Sequence, residues 1–228
     1  MKPAPAAPGS AYPRARTRLR PDGDSTRTRL REAAARLFAE HGYAGTASKA
    51  ICQAAGTDLA AINYHFGSRD DLYRAVLHEG HEHFVSLPFM QDLATCELSA
   101  TAKLETFIDT VVLSLHDTQN WHARIVAREV LAPSPHFAHL SQTSVWPKFR
   151  LLADIVAQIL EIDPATPENT ATLLHCVLNV IAPCLMLLVT EHSAHTPFGT
   201  VLEQDSGQLA AHLKRFALAG LHAQRASC

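Results

Sequence analysis

The sequence predicts an all-α protein. Three observations carry that expectation: only 7% of the 228 residues are aromatic, runs in which Val, Ile, Thr and Tyr alternate with polar residues are scarce, and Ala, Leu, Arg and Glu recur at helical spacing. With 47% apolar residues, the chain can bury a core sufficient for one large domain or two smaller ones.

Residues 1–23 (MKPAPAAPGSAYPRARTRLRPDG) mix Pro, Ala, Gly and Arg without an apolar stripe and read as a flexible basic arm. Next, Leu30, Ala33, Ala34, Leu37, Phe38 and His41 recur on one face of an amphipathic helix, which Gly42 is expected to stop in a left-handed cap. Thr46 is the expected N-cap of a short second helix with Ala47, Ala50, Ile51, Ala54 and Ala55 inside and Gly56 at its end. Asp58 is placed to cap a third helix, with Ile62 and Phe66 on its inner face. Ser68 and Asp71 resemble a capping box, with Asp where Glu is usual, and open a fourth helix through Leu72, Val76 and Leu77. Beyond Pro88, longer helices are expected over roughly 100–117, 123–131, 136–160, 168–192 and 208–223, punctuated by Pro133, Pro135, Pro164, Pro167 and Pro197. The expected organisation is an arm over 1–23, a helix-turn-helix domain over 24–84 with its motif at about 47–66, and a larger helical domain over 85–228.

Leu174, Leu178, Ile181, Leu185, Leu188 and His192 are spaced alternately four and three residues apart, a helix-packing seam that suggests dimerisation. The same stretch, Leu173 to Thr190, approaches the length of a membrane span. His175, Asn179 and Pro183 argue against a span, and a buried subunit interface accounts for a helix apolar on more than one side.

The net charge of −2 conceals a gradient. Residues 1–31 carry Lys2, Arg14, Arg16, Arg18, Arg20, Arg27, Arg29 and Arg31 against Asp22 and Asp24, a balance of +6 that leaves −8 on the remainder. A basic end on an acidic body points to a polyanionic partner touched at that end. Cys52, Cys96, Cys176, Cys184 and Cys228 are widely spaced with no C-x-x-C pair, which argues against a disulfide framework or a zinc finger. The N-terminus has no apolar segment followed by a small-residue cleavage site, so a cytoplasmic location is expected.

The segment TASKAICQAAGTDLAAINYHFGSRDDLY has the pattern short helix, glycine-containing turn, short helix. A helix that enters a major groove about 12 Å wide must be slender at its start, and Ala60 and Ala61 make it so. Tyr64 and His65 can donate hydrogen bonds to phosphate oxygens, and Arg69 adds charge beside a helix N-terminus. Lys49, Asp58, Leu59, Ala60, Ala61 and Asn63 are the candidate base readers: Asn suits adenine, Lys guanine, and Ala a thymine methyl. Thr46 and Ser48 complete the expected contact set on double-stranded DNA.

Residues 26 to about 82 resemble the DNA-binding domain of the TetR family of bacterial regulators. The likeness rests on LFAEHGY at 37–43, Thr46, Ile51, Ala55-Gly56, Tyr64-His65-Phe66, Ser68-Arg69 and Leu72-Tyr73. The chain differs from the family's common pattern at Asp58 (usually Ser), Cys52 (usually Ala) and Thr57 (usually Val). Ala123 to Glu129, with Pro133-Ser134-Pro135, is similar to the C-terminal domain of a branch called CerR-like. The resemblance implies an Ω-shaped homodimer joined through its last two helices, with a C-terminal body that binds a small-molecule inducer. On that basis Leu209, Leu213 and Phe216 join Leu174, Leu178, Ile181, Leu185 and Leu188 in the expected interface. Repression of transcription is likewise implied by the resemblance.

Trp121, Arg128, His136, His139, Trp146, Phe149, His175 and Asn179 are candidates to converge on an apolar effector pocket with polar anchors. His78, Glu79, His81, Glu82 and His83 crowd one helix, and His78 and Glu82 share a face. Metal sites normally draw ligands from more than one element, so a solvated face is expected there, with no metal and no cofactor. An enzyme is disfavoured, because no nucleophile elbow, H-E-x-x-H, phosphate loop or dinucleotide fingerprint occurs. The alternatives to a DNA-binding regulator are a receptor or adaptor acting through protein contacts and, behind it, a histidine-dependent enzyme.

Overall fold

The computed structural model describes residues 21–115, 121–190, 201 and 205–226. Among these residues the chain forms eleven α-helices, one π-helical turn and no strand, as the all-α prediction requires. Residues 1–20 of the arm expected over 1–23, the helix ends at Asp117 and His192, and the positions of Pro197 and Cys228 lie outside the described residues.

The first helix, α1, spans Pro21–Gly45 and so begins within the stretch read as an arm. Proline suits a first turn because its φ is preset and its missing N–H would have no helical partner there. Leu30, Ala33, Ala34 and Phe38 are buried as the stripe predicts, whereas His41 faces solvent. Gly42 does not form the expected left-handed cap. At φ 73° and ψ 174° it breaks the helix in a conformation open essentially to glycine alone, and one more turn follows to Gly45.

Thr46 does not cap the second helix, α2 (Ser48–Ala55), whose N-cap is Ala47. It is 2% exposed, and its hydroxyl donates to the carbonyls of Gly42 at 2.8 Å and Leu37 at 3.1 Å, pinning the turn to α1. Gly56 ends α2 in the left-handed region at φ 64°. Asp58 accepts from the Ala61 N–H at 3.0 Å and so caps α3 (Ala60–Phe66). Ser68 accepts from the Asp71 N–H at 3.0 Å and donates to the Asp71 carboxylate at 2.6 Å, opening α4 (Arg69–Phe84) as predicted.

The body comprises α5 (Leu87–Thr95), α6 (Ala100–Leu115), α7 (Trp121–Leu131), α8 (Phe137–Leu140), the π-turn Ser141–Val145, α9 (Trp146–Leu160), α10 (Pro167–Thr190) and α11 (Ser206–Arg225). Helix α5 was not foreseen: the body helices were expected from about residue 100, yet Pro88 sits in the first turn of a helix behind a Ser86 cap that accepts from the Phe89 N–H. The helix expected over 136–160 is interrupted by the π-turn. Proline in an unbroken helix clashes with the carbonyl four residues back, and the widened turn just before Pro147 relieves that clash.

The buried core runs without a break from the N-terminal helices into the body, with α7 packed against both α1 and α4. A Cβ on Gly80 of α4 would meet Ile125 Cγ2 of α7 at 2.8 Å, so the glycine sets how closely these helices cross. Arg128 of α7 donates to the Glu40 carbonyl of α1 at 2.8 Å. The Tyr73 hydroxyl of α4 donates to Glu129 of α7. Cys52, Cys96 and Cys184 are free thiols.

Residues Pro167–Val189 are long and apolar enough to cross a membrane, with mean hydropathy 2.2. Val177, Val180, Cys184 and Leu187 are nevertheless buried inside this chain. The expected dimer seam divides along α10. Leu174 and Leu178 face outward, as does Met186 nearby, whereas Ile181, Leu185 and Leu188 line a cavity between helices of the same chain. On α11, Phe216 is 71% exposed, Leu213 is half-buried and Leu209 is buried within its own subunit. The stripe is continuous in sequence, but its second half is roofed by other helices of the same chain, a distinction periodicity cannot make.

Candidate nucleic-acid interface and internal cavity

Helix α3 stands at the surface with its apolar side anchored. Ile62 is 2% exposed, whereas Leu59 is 56% and Tyr64 80% exposed. Lys49, Asp58, Leu59, Ala60, Asn63 and Tyr64 are all open to solvent, with Ser48, Ala61 and His65 half-buried between them. The Tyr64 and His65 rings meet edge to face at 4.8 Å at the end of the helix.

Two residues of the expected contact set have other work. Thr46 is buried beneath the motif, as described above, so its side chain is not offered to a ligand. Arg69 lies over the Tyr43 ring at 4.2 Å and donates to the Thr46 carbonyl at 2.8 Å, clamping the start of α2 against α4. Sequence reasoning missed Arg27, whose guanidinium sits 5.0 Å over the Phe66 ring and sets a positive charge beside the end of α3. Its signal was present in the basic count of the first 31 residues. The Thr57 hydroxyl is buried without a hydrogen-bond partner, consistent with a position that valine would fill.

The helices of the body, with the end of α4, line a half-open cavity of about 290 Å³. Helix α4 contributes His81 and Phe84; α6 contributes Phe107 and Val111, and α7 Val126 and Val130; α9 contributes Lys148, Phe149 and Leu152, and α10 Ile181, Cys184, Leu185 and Leu188. Its walls are apolar except at His81 and Lys148. Lys148 Nζ lies 2.5 Å from Glu82 Oε1 and 3.0 Å from His81 Nδ1. Ser144, in the π-turn, donates to Glu82 at 2.6 Å, and the Leu87 N–H donates to the other Glu82 oxygen at 2.8 Å. Burial, reinforced by the neighbouring Lys148 charge, pushes the His81 imidazole down to about 4. Burial would raise the Glu82 carboxyl, but Lys148, Ser144 and Leu87 outweigh it and hold it at about 2. Burial pulls Lys148 below the usual lysine range against the opposing pull of Glu82.

The histidine-rich segment is therefore not the uniform solvated face expected of it. His78 and His83 are exposed, but His81 and Glu82 turn inward. Among the described residues no three His, Cys, Asp or Glu side chains are grouped to hold a metal ion.

Of the eight residues expected to converge on a pocket, the structure brings only Phe149 to the cavity. His136 is buried against the rings of Tyr43 and Tyr73, at 4.4 and 5.5 Å. Arg128 is committed to the end of α1. Trp121 stacks on His122 at 3.8 Å. Trp146 lies edge-on to Phe149 from an exposed position. His139 and His175 are exposed, and Asn179 borders an outer depression with Met186 and Phe216. Polar residues on these helices lie mostly on outward faces, while the cavity is walled by the apolar stripes.

Residues 30–76 match the family model for bacterial regulatory proteins of the tetR family. Residues 100–221, more than half of the chain, match the model for the C-terminal domain of the HTH-type transcriptional dual regulator CecR, so the body branch called CerR-like above carries the name CecR. The HTH-type transcriptional repressor AcnR of Corynebacterium glutamicum is 38% identical over 55 residues, 24% of this chain and 29% of that protein. The chain thus aligns with less than a third of the length of the curated relatives it matches. A TetR-like transcriptional regulator from Rhodococcus sp. RHA1 superposes with a TM-score of 0.64 at 15% identity, covering 86% of this chain and 96% of that one. The transcriptional regulator FadR from Bacillus subtilis, solved in complex with stearoyl-CoA, gives 0.63 at 16% identity over 85% and 98%. At such identities these structures speak for the fold alone.

Proposed function

Because this chain belongs to the TetR family of bacterial regulators, we propose that it is a sequence-specific DNA-binding transcriptional repressor of the cytoplasm, released from a near-palindromic operator by a small-molecule effector. The observation that carries this reading is the presentation of α3: a buried Ile62 anchors a short helix whose outward side offers Leu59, Ala60, Asn63 and Tyr64 to solvent. Residues 24–84 act as the DNA-binding head and 85–228 as the body. Two copies join through an outer face that includes the exposed apolar side chains of Leu174, Leu178 and Met186 on α10 and Phe216 on α11. That face, rather than lipid, is the role given to the most apolar helix. The paired α3 helices then enter successive major grooves about 34–36 Å apart.

The coupling runs through α4. Its first turn holds Arg69 against the start of α2, and its last turn places His81 and Phe84 in the cavity wall. A ligand that shifts α4 needs a coupling of only about 1–3 kcal/mol to change operator occupancy five- to 150-fold. By reciprocity, DNA weakens the ligand equally.

Replacing Tyr64 by alanine is expected to weaken binding to all duplexes about equally, by roughly tenfold, because a phosphate contact positions without reading sequence. Lys49→Ala and Asn63→Ala are expected to change the ranking among duplexes, each by about 1–3 kcal/mol at one base pair. Titration of labelled duplexes over a range of salt concentrations checks both. Operator affinity unchanged by Tyr64→Ala removes the docking proposed here, and affinity without salt dependence favours an adaptor.

A further inference from the structure

We propose that the cavity between α4, α6, α7, α9 and α10 selects an uncharged, largely apolar molecule carrying one hydrogen-bond acceptor, such as a medium-chain ketone, and discriminates against the carboxylate of equal length. This inference rests on the effector role given above to the same cavity.

An anionic headgroup entering the cavity needs a free cation. Lys148 is the one lysine or arginine in the described lining, and its ammonium group already lies 2.5 Å from Glu82 Oε1. Glu82 is in turn held by Ser144 at 2.6 Å and by the Leu87 N–H at 2.8 Å. The Lys148–Glu82 pair sums to zero charge wherever its proton resides. A carboxylate would have to displace Glu82 from three partners or lie beside it as a like charge, and either course leaves a buried charge uncompensated.

His81 offers the group complementary to an uncharged acceptor. The Lys148 ammonium group is a donor only, so His81 Nδ1, 3.0 Å away, is the acceptor of that contact. Desolvation keeps this ring neutral near pH 7, and the neutral tautomer then carries its proton on Nε2. His81 lines the wall with Phe84, Val111, Phe149, Leu152 and Ile181, and its Nε2–H is the donor the proposal assigns to the guest. A volume of about 290 Å³ limits the guest to a modest size, near the lower end of ligand pockets at roughly 300–1,000 Å³.

The test is calorimetric titration of the full chain at neutral pH with 2-nonanone and with nonanoate. The expected result is binding of the ketone at least about tenfold tighter than nonanoate. Glu82→Gln, which frees the Lys148 charge, is expected to move that ratio about tenfold or more toward nonanoate. His81→Phe is expected to weaken the ketone by about three- to tenfold. Nonanoate binding wild-type protein as tightly as the ketone, or no ketone binding, overturns the proposal, and this comparison requires no variant to fold. Duplex binding by the same preparation separates the two readings. DNA binding with nonanoate preferred sinks the ligand assignment alone, whereas ketone preference without DNA binding sinks the regulator reading alone.

Discussion

Replacing Glu129 by alanine is expected to lower the unfolding free energy by about 3 kcal/mol, and Glu129→Gln to lower it by about 1 kcal/mol. Glu129 is 2% exposed. It accepts from the Tyr73 hydroxyl through one oxygen and from the Ser134 N–H through the other at 2.9 Å. Burial, followed by the bond to Glu129, pushes the Tyr73 hydroxyl well above the usual tyrosine range, so it remains a donor at any working pH. Alanine leaves both donors buried without an acceptor and opens a void where the carboxylate stood. Glutamine retains an oxygen for Tyr73 but turns an amide donor toward the Ser134 donor, so only one bond is lost. Thermal unfolding followed by circular dichroism checks the pair, at about 2–4 °C per kcal/mol for a chain of this size. A loss below about 1 kcal/mol in Glu129→Ala means that this contact does not hold α4 to α7. Because Tyr73 and Glu129 join those two helices, the alanine variant is also expected to blunt any effect of ligand on DNA affinity.

Acid is expected to remove about 3 kcal/mol of stability between pH 6.5 and 4, with His81 as the principal cause. The imidazole of the unfolded chain takes its proton near 6.5, whereas the folded one resists until about 4. Across that window the unfolded state binds more protons, so stability is full above pH 6.5 and declines as pH falls. Glu82 extends the loss downward. Its folded carboxyl titrates near 2 against 4.5 in the unfolded chain, so its contribution is present above pH 4.5 and disappears as pH falls toward 2. The two residues share Lys148, and their effects are therefore not additive. Urea unfolding at a series of pH values measures the profile, and His81→Phe is expected to flatten the part between 6.5 and 4. A wild-type profile already flat there contradicts the burial of a neutral His81.

Local signals in the sequence were reliable where a cap or stripe decided the outcome. Asp58 and Ser68 cap their helices, Gly56 ends α2, and Leu30, Ala33, Ala34 and Phe38 form the predicted inner face. Thr46 and Gly42 defeated the same kind of argument, because tertiary contacts claimed them. One hydroxyl turns back onto α1, and one glycine makes room for Arg128, whose Nη1 lies 3.2 Å from where its Cβ would be. The cavity was missed for a different reason. Histidines and aromatics scattered over the body helices carry no signal for it, whereas charges on apolar stripes do. Lys148 is in register with Leu152 and Ile155, and Glu129 with Ile125 and Val126, so helical periodicity already places each of them inside. A buried charge needs a partner, and the search for one leads from Lys148 to Glu82 and from Glu129 to Tyr73. The division of the α10 seam was beyond sequence reasoning, since whether Ile181 meets a cavity and Leu178 meets solvent depends on which helices roof each turn.

The account stands on α3 acting as a DNA-reading helix in a two-fold symmetric pair. Selection of bound duplexes from a random pool by the purified full-length protein tests this most directly. The account predicts enrichment of an inverted repeat whose half-sites lie about one helical turn, roughly 10–10.5 base pairs, or a multiple of it apart. It also predicts that Tyr64→Ala recovers the same repeat at lower yield. A pool that remains unenriched through successive rounds, or one that converges on a site without two-fold symmetry, contradicts it.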